Sequence, residues 1–408
     1  MLVLVFNAGS SSQKSCLYSL GESIPDTPLK PLWEADIDRS SEQQGILTIE
    51  SNDRRREIKL KDRDTALKVL LDTLVKGETK VIDSLDEIDV VGHRVVHGGA
   101  KYSQPTIIND EVKRAIADLI PLAPSHNPAN LEGIKTIEEI LPEIPQVAVF
   151  DTAFHTTIPE HAKVYPIPYK YRERGIQRYG FHGTSHQYCA HRTAQILQQP
   201  LETLKIVTCH LGNGCSLAAI KNGVCIDTTM GFSPLEGLMM GTRCGSIDPQ
   251  ILIYMMQEYG LAAAEIDRIL NQESGLLGIS GVSNDLRNIV KAIEEGNTQA
   301  QLAYDIYLHY LKKAIGAMVA SLNGLDVLVF TAGVGENQSM LREKTCEGLS
   351  YLGVKLEPAK NLTEPLDENI ATSDSQVRVL VIHTQEDWAI AKLAVGIATS
   401  AVAVTEKK

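Results

Sequence analysis

Short apolar runs alternate with polar, glycine-containing turns along the whole chain. The run at residues 2 to 6 predicts a buried strand, and residues 13 to 20 predict its hairpin partner. The stretch 64 to 76 has apolar positions at helical spacing. Further strands are predicted at 33 to 37, 46 to 51, 56 to 60, 88 to 96 and 146 to 150, and helices near 109 to 120 and 129 to 140. This order is typical of a mixed α/β unit.

The second half of the chain repeats the same order of elements. Residues 205 to 220 again predict a strand, a glycine-rich turn and a second strand, which places Gly212 against Gly9 and His210 against Asn7. A long helical stretch leads to "DVLVFTAGVGEN", the counterpart of "IDVVGHRVVHGG", and "VRVLVIHTQED" is the counterpart of "QVAVFDTAFH". Three correspondences in one order indicate a duplicated α/β unit. Because α/β folds bind ligands at strand ends, we expect the ligand in a cleft between the halves.

Composition and charge exclude several classes of function. A chain of 408 residues exceeds the usual single-domain size, so two domains are expected. The net charge of −12 argues against nucleic-acid binding, and the basic cluster at 54 to 56 is interpreted as the solvated end of a hairpin. Neither a signal peptide nor an apolar stretch of membrane-spanning length is apparent. Seven scattered cysteines without a C-x-x-C pair favour a reducing cytosol.

Two turns of small residues are candidate phosphate sites. "NAGSSSQK" (7 to 14) offers backbone N–H groups and serine hydroxyls to an anion, with Lys14 as the cation. It lacks Walker A spacing, and a hairpin turn of this kind is more often structural when it stands alone. "HLGNGCS" (210 to 216) occupies the equivalent place in the second half, so together the turns predict a polyphosphate site. "FTAGVGEN" (330 to 337) places two glycines before a predicted helix start, which is typical of a nucleotide site.

Arginines, histidines and acids supply the remaining candidates. Arg94 and Arg243 each lie among glycines, and their planar guanidinium groups match carboxylate or phosphate oxygens. The alternative for each is an ion pair at a domain boundary. His182 and His186 have i, i+4 spacing, which would suit metal ligands, but no carboxylate completes a known ligand pattern.

We expect His186 at a helix start or in the core, and His182 as a hydrogen-bond donor to developing charge. Asp151 and Glu386 follow strands and are candidate magnesium ligands, directly or through water; helix capping is the alternative.

Taken together, these motifs resemble the acetate kinase (acetokinase) family from the first strand to the final helix. The resemblance implies two duplicated ribonuclease H-like α/β domains, of the superfamily of sugar kinases, actin and heat-shock chaperones, with an active-site cleft between them. Residues 1 to 150 plus 385 to 408 would form the acyl-side domain and 151 to 384 the nucleotide-side domain. The implied reaction is reversible transfer of the γ-phosphoryl group of ATP to acetate, giving acetyl phosphate and ADP. Mg²⁺ (or Mn²⁺), a homodimer and a cytoplasmic location are implied as well.

The resemblance also implies roles for individual residues. In catalysis and on the acyl side they are magnesium binding by Asn7 and Glu386, acyl carboxylate binding by Arg94, a catalytic carboxylate at Asp151, and transition-state stabilisation by His182 and Arg243. On the nucleotide side, the residues implied to bind ATP or ADP are Lys14, His210, Leu211, Gly212, Asn213, Gly214, Asp285, Leu286, Arg287, Gly333, Val334, Gly335, Glu336 and Asn337.

The chemistry of the implied reaction agrees with these cations. Acetate is ionised at neutral pH and needs no base, so the main task is to bring two anions together in line. Asp151 is itself negative, and we expect it to act through magnesium or by orienting an arginine. Ser125 and Leu286 depart from common family patterns, which leaves acyl chain length and nucleotide preference open and keeps a propionate or butyrate kinase as the alternative. A nucleotide-dependent binding module is the rival from another class, but such a protein would not need the two arginines.

Overall fold

The computed structural model describes residues 1–8, 12–21, 23–38, 45–51, 53–60, 66–124 and 126–405. Gly9 and Ser125, for which predictions are made above, lie outside the described residues. The strands are β1 (Leu2–Ala8), β2 (Ser12–Ser19), β3 (Trp33–Asp38), β4 (Ile46–Ser51), β5 (Arg54–Lys59), β6 (Val90–Val95), β7 (Thr106–Ile107), β8 (Gln146–Phe150), β9 (Lys205–Leu211), β10 (Cys215–Lys221), β11 (Val224–Thr228), β12 (Val327–Thr331), β13 (Glu368–Asn369) and β14 (Arg378–Val381).

The α-helices vary in length from single turns to the 25 residues of α11. Their bounds are α1 (Ala66–Val75), α2 (Asp110–Asp118), α3 (Asn127–Ile140), α4 (Glu160–Lys163), α5 (Lys170–Glu173), α6 (Gly183–Leu197), α7 (Pro249–Glu258), α8 (Ala263–Gln272), α9 (Gly275–Ser280), α10 (Leu286–Glu294), α11 (Thr298–Leu322), α12 (Ala332–Asn337), α13 (Ser339–Glu347), α14 (Pro358–Leu362) and α15 (Glu386–Thr405). In the part of the chain that is described, no helix combines the length and apolar character that crossing a membrane requires.

The chain forms two compact units. Unit 1 comprises Met1–Ala153 together with Gln385–Lys408, and unit 2 comprises Phe154–Thr384. Over the described residues, unit 1 contains an eight-stranded sheet in the order β5-β4-β3-β2-β1-β6-β8-β7. Unit 2 contains a six-stranded sheet in the order β11-β10-β9-β12-β14-β13, again over the described residues. The predicted α/β fold class is confirmed.

The six strands of unit 2 have counterparts in unit 1 with the same order and direction. The central strands β1 and β9 each pair antiparallel with a hairpin partner and parallel with the next strand along the sheet. The next pair is also parallel in both units, and the edge strands β7 and β13 are antiparallel. Val3 and Ile206 are the first parallel-paired residues of β1 and β9, and Asn7 and His210 follow at matching positions. The predicted duplication is confirmed.

One strand differs from its prediction in its bounds. The strand expected at 56 to 60 begins at Arg54, which pairs with Ser51 across the β4–β5 turn, so the basic cluster at 54 to 56 lies at the exposed end of a hairpin, as predicted. These side chains are exposed on the edge strand of the sheet, where charge discourages pairing with another chain.

The strands beside the candidate site are continuous apolar runs because both faces of the sheet are covered. Every residue of β8 and β12 is buried, as is typical of parallel strands between layers. In unit 1, helix α15 packs against β1, β6 and β8. Gly92 on β6 permits this packing, because a Cβ atom there would lie 2.8 Å from Ile390 Cγ2. The final helix is thereby held beside the carboxyl ends of these strands.

Candidate functional site

A cluster of polar and charged side chains lies at the carboxyl ends of β1, β6 and β8 in unit 1. The carboxyl ends of parallel strands meet at one edge of a sheet, and the start of α15 is added to that edge. We call this set the unit 1 cluster: it consists of Asn7, Lys14, Arg94, Asp151, Glu386 and Asp387.

Arg94 and Asp151 form the most buried ion pair of the unit 1 cluster. Arg94 Nε and Nη2 donate to the same oxygen, Asp151 Oδ2, at 3.0 and 2.5 Å. Their side chains are only 11% and 1% exposed. Burial by itself would lower the pKa of Arg94, but the charges of Asp151 and Glu386 raise it above its usual value. The guanidinium therefore stays charged in a largely dry setting.

Asn7 connects this ion pair to the start of α15. Its Oδ1 accepts from Arg94 Nη1 at 3.4 Å, and its Nδ2 donates to Glu386 Oε2 at 3.3 Å and Asp387 Oδ1 at 2.9 Å. Lys14 Nζ lies 3.2 Å from Asp387 Oδ2 and is also paired with a carboxylate on β3. Asp387 is missing from the sequence-based predictions. Its position next to Glu386 in "TQED" was the available signal.

Glu386 has a carboxylate oxygen that fits a cation. Its Oε1 is buried and has no hydrogen-bond partner among the described residues. Burial raises the pKa of Glu386, Arg94 opposes that rise, and Asp151 and Asp387 add to it. A buried acceptor of this kind suits a hard cation with oxygen ligands. The described residues contain no group of three or more His, Cys, Asp or Glu that could hold a metal ion, so an ion here would depend on the Asn7 amide and water as well.

Three histidines gather beside β9 and β10 in unit 2. His186 lies in α6 and is fully buried, as predicted for a core histidine. His182 is the N-cap of that helix, in the left-handed region with φ 58°, and its carbonyl oxygen accepts from His186 N at 3.0 Å. The His182 ring stacks on that of His210, with centroids 4.2 Å apart. Ser216 Oγ lies 2.8 Å from both His182 Nδ1 and His186 Nε2, and it is a residue that sequence reasoning missed.

Arg243 is placed beside this histidine group. Its Nη1 donates to Pro234 O at 3.0 Å, and within the described residues no carboxylate forms an ion pair with it. Burial lowers the pKa of Arg243. A Cβ atom on Gly214 would lie 3.4 Å from both Arg243 Nη1 and His182 Nε2. Arg243 and His182 therefore face the same space next to the glycine turn, and a partly buried cation with no carboxylate partner in the described part of the chain is suited to an anionic ligand.

The turn of residues 210 to 214 is joined to the two segments that carry Arg243 and Asp285. Asn213 O accepts from Gly241 N at 3.1 Å, and Asn213 Oδ1 accepts from Asn284 Nδ2 at 3.4 Å. A Cβ atom on Gly241 would lie only 2.3 Å from Asn213 Oδ1, so this glycine permits the close approach. Gly212 N donates to Gly214 O at 3.0 Å inside the turn. Leu211 ends β9 with its side chain in the core, which leaves its backbone as the part available to a ligand.

Of the two segments predicted to bind the nucleoside, residues 285 to 287 lie at the start of α10. Asp285 is the N-cap, and its Oδ1 accepts from Arg287 N at 2.9 Å. The same two side chains form an ion pair at 2.6 Å on the surface. Leu286 is 2% exposed, so its side chain contributes to packing. The start of α10 thus presents the charged pair of Asp285 and Arg287 at the surface, with Leu286 packed beneath it.

The "FTAGVGEN" segment lies before a helix start, as predicted, and also forms a short helix of its own. Helix α13 begins at Ser339, and Gly333, Val334, Gly335, Glu336 and Asn337 all lie inside α12, which begins directly after β12. The helix starts early because Ala332 adopts φ 62° and turns the chain at the end of the strand. Asn337 Nδ2 donates to Gly333 O at 2.8 Å within it.

A buried arginine that the sequence did not single out supports α12. Arg342 Nη1 donates to the carbonyl oxygens of Gly335 and Glu336 at 2.9 and 2.7 Å. Burial lowers the pKa of Arg342 to about 10. The Glu336 carboxylate is held by Thr384 N at 3.0 Å and His383 Nδ1 at 2.6 Å. Arg342 lies in an ordinary helical sequence, so only the fold identifies it.

Comparisons with known proteins agree over the length of the chain. The family model described as the Acetokinase family matches residues 2–392. The chain is 59% identical over 396 residues to an acetate kinase of Gloeothece citriformis and 60% identical over 396 residues to one of Rippkaea orientalis, in each case over 96% of this chain and 98% of the relative.

Solved structures give the same result. The acetate kinase of Porphyromonas gingivalis has a TM-score of 0.88 at 41% identity, and a propionate kinase from Francisella tularensis has a TM-score of 0.88 at 37% identity. Each comparison covers 97% of this chain and 99% of the other.

Proposed function

The chain belongs to the acetokinase family, and on that premise we propose that it transfers the γ-phosphoryl group of ATP reversibly to acetate, giving acetyl phosphate and ADP. The observation that carries the proposal is the setting of Arg243. This guanidinium is partly buried beside the turn of residues 210 to 214 with no carboxylate partner among the described residues. A phosphate group would supply the missing negative charge.

In unit 1, Arg94 would bind the acetate carboxylate. Its orientation is determined by Asp151, which accepts from Nε and Nη2 and so holds the plane of the guanidinium. Acetate is already ionised near neutral pH and needs no general base, so Asp151 would act by positioning Arg94. Both the negative charge of Asp151 and the position of its carboxylate would then be needed for acetate binding by Arg94.

In unit 2, Arg243, His182 and the backbone of the glycine turn would bind the phosphate chain. Donors placed in advance at the point where charge develops stabilise a phosphoryl-transfer transition state without reorganising. The nucleoside would lie toward the starts of α10 and α12, where Asp285, Arg287 and Glu336 present polar groups. Lys14 would contact ATP only in competition with the carboxylates that already pair with it.

A divalent cation completes the proposal, and Mg²⁺ is the proposed ion, with Mn²⁺ as a substitute. Asn7 and Glu386 would hold it with water, because a carbonyl oxygen and a carboxylate oxygen are the ligands such ions prefer. The unpartnered Oε1 of Glu386 supports this assignment. When bound, the ion would offset negative charge on the phosphates.

Acyl chain length requires its own comparison. A propionate kinase has the same TM-score to this chain as an acetate kinase, so the fold does not distinguish the two substrates. A single additional methylene in an apolar pocket changes specificity by about 10- to 200-fold, which rate measurements resolve readily.

We also propose a homodimer and a cytosolic location. Helix α7 has no buried residue, exposes Ile251, Tyr254 and Met256, and carries no charge before its last residue. Two copies of such a face can meet without like-charge repulsion. Light scattering tests the assembly: the parent should have the mass of a dimer, and Tyr254→Asp should shift it toward the monomer.

The cysteines support the cytosolic location. All seven cysteines are described and are free thiols, which suits a reducing compartment.

The reaction is tested with purified protein, ATP, acetate and MgCl₂, trapping acetyl phosphate as the hydroxamate. Acetate-dependent hydroxamate is expected, and its absence would overturn the proposal. Parallel assays with C2 to C4 acids identify the preferred acyl group. ATP hydrolysis that does not depend on any carboxylic acid would instead indicate a nucleotide-dependent binding module.

A further inference from the structure

Four side chains of unit 2 form a continuous row of hydrogen bonds that ends at His182. Thr208 Oγ1 lies 2.7 Å from His186 Nδ1, and His186 Nε2 lies 2.8 Å from Ser216 Oγ. Ser216 Oγ in turn lies 2.8 Å from His182 Nδ1. Thr208, His186 and Ser216 are fully buried, on β9, α6 and β10 respectively. We call these four residues the histidine row.

The number of protons in the histidine row permits three arrangements. A neutral imidazole has one N–H, and a serine hydroxyl has one hydrogen to donate. If the hydrogen bonds run toward His182, Ser216 donates to its Nδ1 and the ring proton sits on Nε2. If they run away from it, Nδ1 carries the proton and Nε2 presents a lone pair. Ser216 Oγ can also accept from both histidines and donate outside the row, and that third arrangement again places the His182 proton on Nδ1.

The position of His182 Nε2 selects between these arrangements. This atom faces Gly214 on the side where Arg243 Nη1 also lies. A lone pair at that point would repel a phosphate oxygen, whereas an N–H would donate to it. Burial, with added effects from His155 and His210, keeps the pKa of His186 well below its usual value. His186 is therefore neutral and able to donate from one nitrogen while accepting at the other.

We propose that Thr208, His186 and Ser216 are positioning residues that hold His182 as the neutral tautomer with its proton on Nε2. Resting on the proposed function, this arrangement makes His182 an uncharged hydrogen-bond donor to the transferring phosphoryl group. Thr208 donates to His186 Nδ1, His186 Nε2–H donates to Ser216, and Ser216 donates to His182 Nδ1. The charge on the phosphoryl group would then be offset by Arg243 and the cation, and the hydrogen bond from His182 would orient the phosphoryl group.

The surroundings of His182 hold the ring in place for this role. Its backbone is in the left-handed region, its carbonyl accepts from His186 N at 3.0 Å, and its ring stacks on His210. His210 is itself held by Ser185 Oγ at 2.8 Å. A histidine with both backbone and ring held in this way loses little orientational freedom when a ligand binds.

The direct test is long-range ¹H–¹⁵N NMR of protein labelled with ¹⁵N-histidine, with His182 assigned by its loss in His182→Gln. Near neutral pH and without substrate, we expect an unprotonated Nδ1 and a protonated Nε2. In Ser216→Ala this pattern should be lost. The kcat of that variant should fall by about 10- to 100-fold, because a buried ring nitrogen loses its partner, with the acetate KM within about 3-fold of the parent.

Thr193→Val is the matched control. Thr193 has a buried hydroxyl on α6, the helix of His186; it donates to Cys189 O at 2.7 Å and has no hydrogen bond to a histidine among the described residues. This variant should keep both the His182 spectrum and kcat. Thr208→Val provides a second variant of the row, expected to change the spectrum in the same direction as Ser216→Ala.

A parent spectrum with the proton on Nδ1 would overturn the proposal even if the protein makes acetyl phosphate. An unchanged His182 spectrum in both Ser216→Ala and Thr208→Val would overturn it as well. The parent spectrum is recorded without any variant having to fold and without catalytic turnover. Failure of the hydroxamate assay with the expected spectrum would therefore count against the proposed function alone.

Discussion

Arg94 directs two nitrogens at a single oxygen of Asp151, and both side chains are buried. Two donors on one acceptor fix the plane of the guanidinium as well as its position. The arginine side chain is otherwise long and flexible, so this carboxylate determines where its positive charge is presented.

Replacing Asp151 with Asn tests that relationship. The variant keeps the size of the side chain but removes the charge that holds Arg94, so we expect kcat/KM for acetate to fall by about 10- to 100-fold. Initial rates against acetate concentration measure the change. Asp72→Asn is the control, since Asp72 pairs with Lys76 on the surface of α1. An unchanged kcat/KM in Asp151→Asn would show that Arg94 does not need this partner.

Replacing Arg243 with Ala should lower kcat by about 10²- to 10³-fold, the usual cost of removing one donor that stabilises developing charge. Steady-state kinetics at saturating ATP and acetate measure it. The matched control is Arg268→Ala on helix α8, where the guanidinium is exposed and paired with Glu273. Equal kcat values in Arg243→Ala and Arg268→Ala would show that Arg243 does not take part in catalysis.

Glu386→Gln should weaken the response to the metal ion. Because the variant loses the charge of a proposed ligand, about 10-fold more free Mg²⁺ should be needed for half-maximal rate. The measurement is a magnesium titration at fixed ATP. Glu138→Gln, which changes a carboxylate paired with Lys113 on the surface, should leave the titration where it is. A curve that Glu386→Gln does not shift would contradict the metal assignment.

Two glycine substitutions should have opposite effects on stability. Gly92→Ala forces a Cβ atom to 2.8 Å from Ile390 Cγ2 and 3.2 Å from Ala394 Cβ, and overpacking of this kind costs about 1 to 3 kcal/mol. Gly133→Ala in α3 meets nothing within 4 Å and should add about 0.5 to 1 kcal/mol. Chemical denaturation measures both. Equal stability of the two variants would mean that α15 does not pack closely on β6.

Acid should destabilise unit 1 through His93. Burial lowers the pKa of this fully buried histidine to about 4, from 6.5, so between these pH values the unfolded chain binds a proton that the folded chain does not. The free energy of unfolding therefore decreases as pH falls through this window, by about 1.4 kcal/mol per pH unit for one proton. Denaturation from pH 8 to 4 should show a shallower slope in His93→Gln. Parallel curves for parent and variant would exclude His93 as the source.

Much of the architecture could be predicted because it depends on local patterns. Continuous apolar runs such as β8 are dictated by burial on both faces, and glycines mark the turns that follow such runs. The repeated order of elements predicted the matching strand order of the two sheets. Arg94, Arg243 and His182 could be singled out because each stands beside or among glycines, and Glu386 because it follows a predicted strand.

The sequence by itself determined the main strands of the two sheets, that one unit is duplicated, and which residue types stand at the strand ends. Only the tertiary structure decided the partners. Asn7 meets Asp387, Arg342 supports α12, and Ser216 lies between His182 and His186. Local patterns arise from burial of neighbouring residues, whereas these contacts join atoms that are brought within hydrogen-bond distance by strand register and helix packing alone.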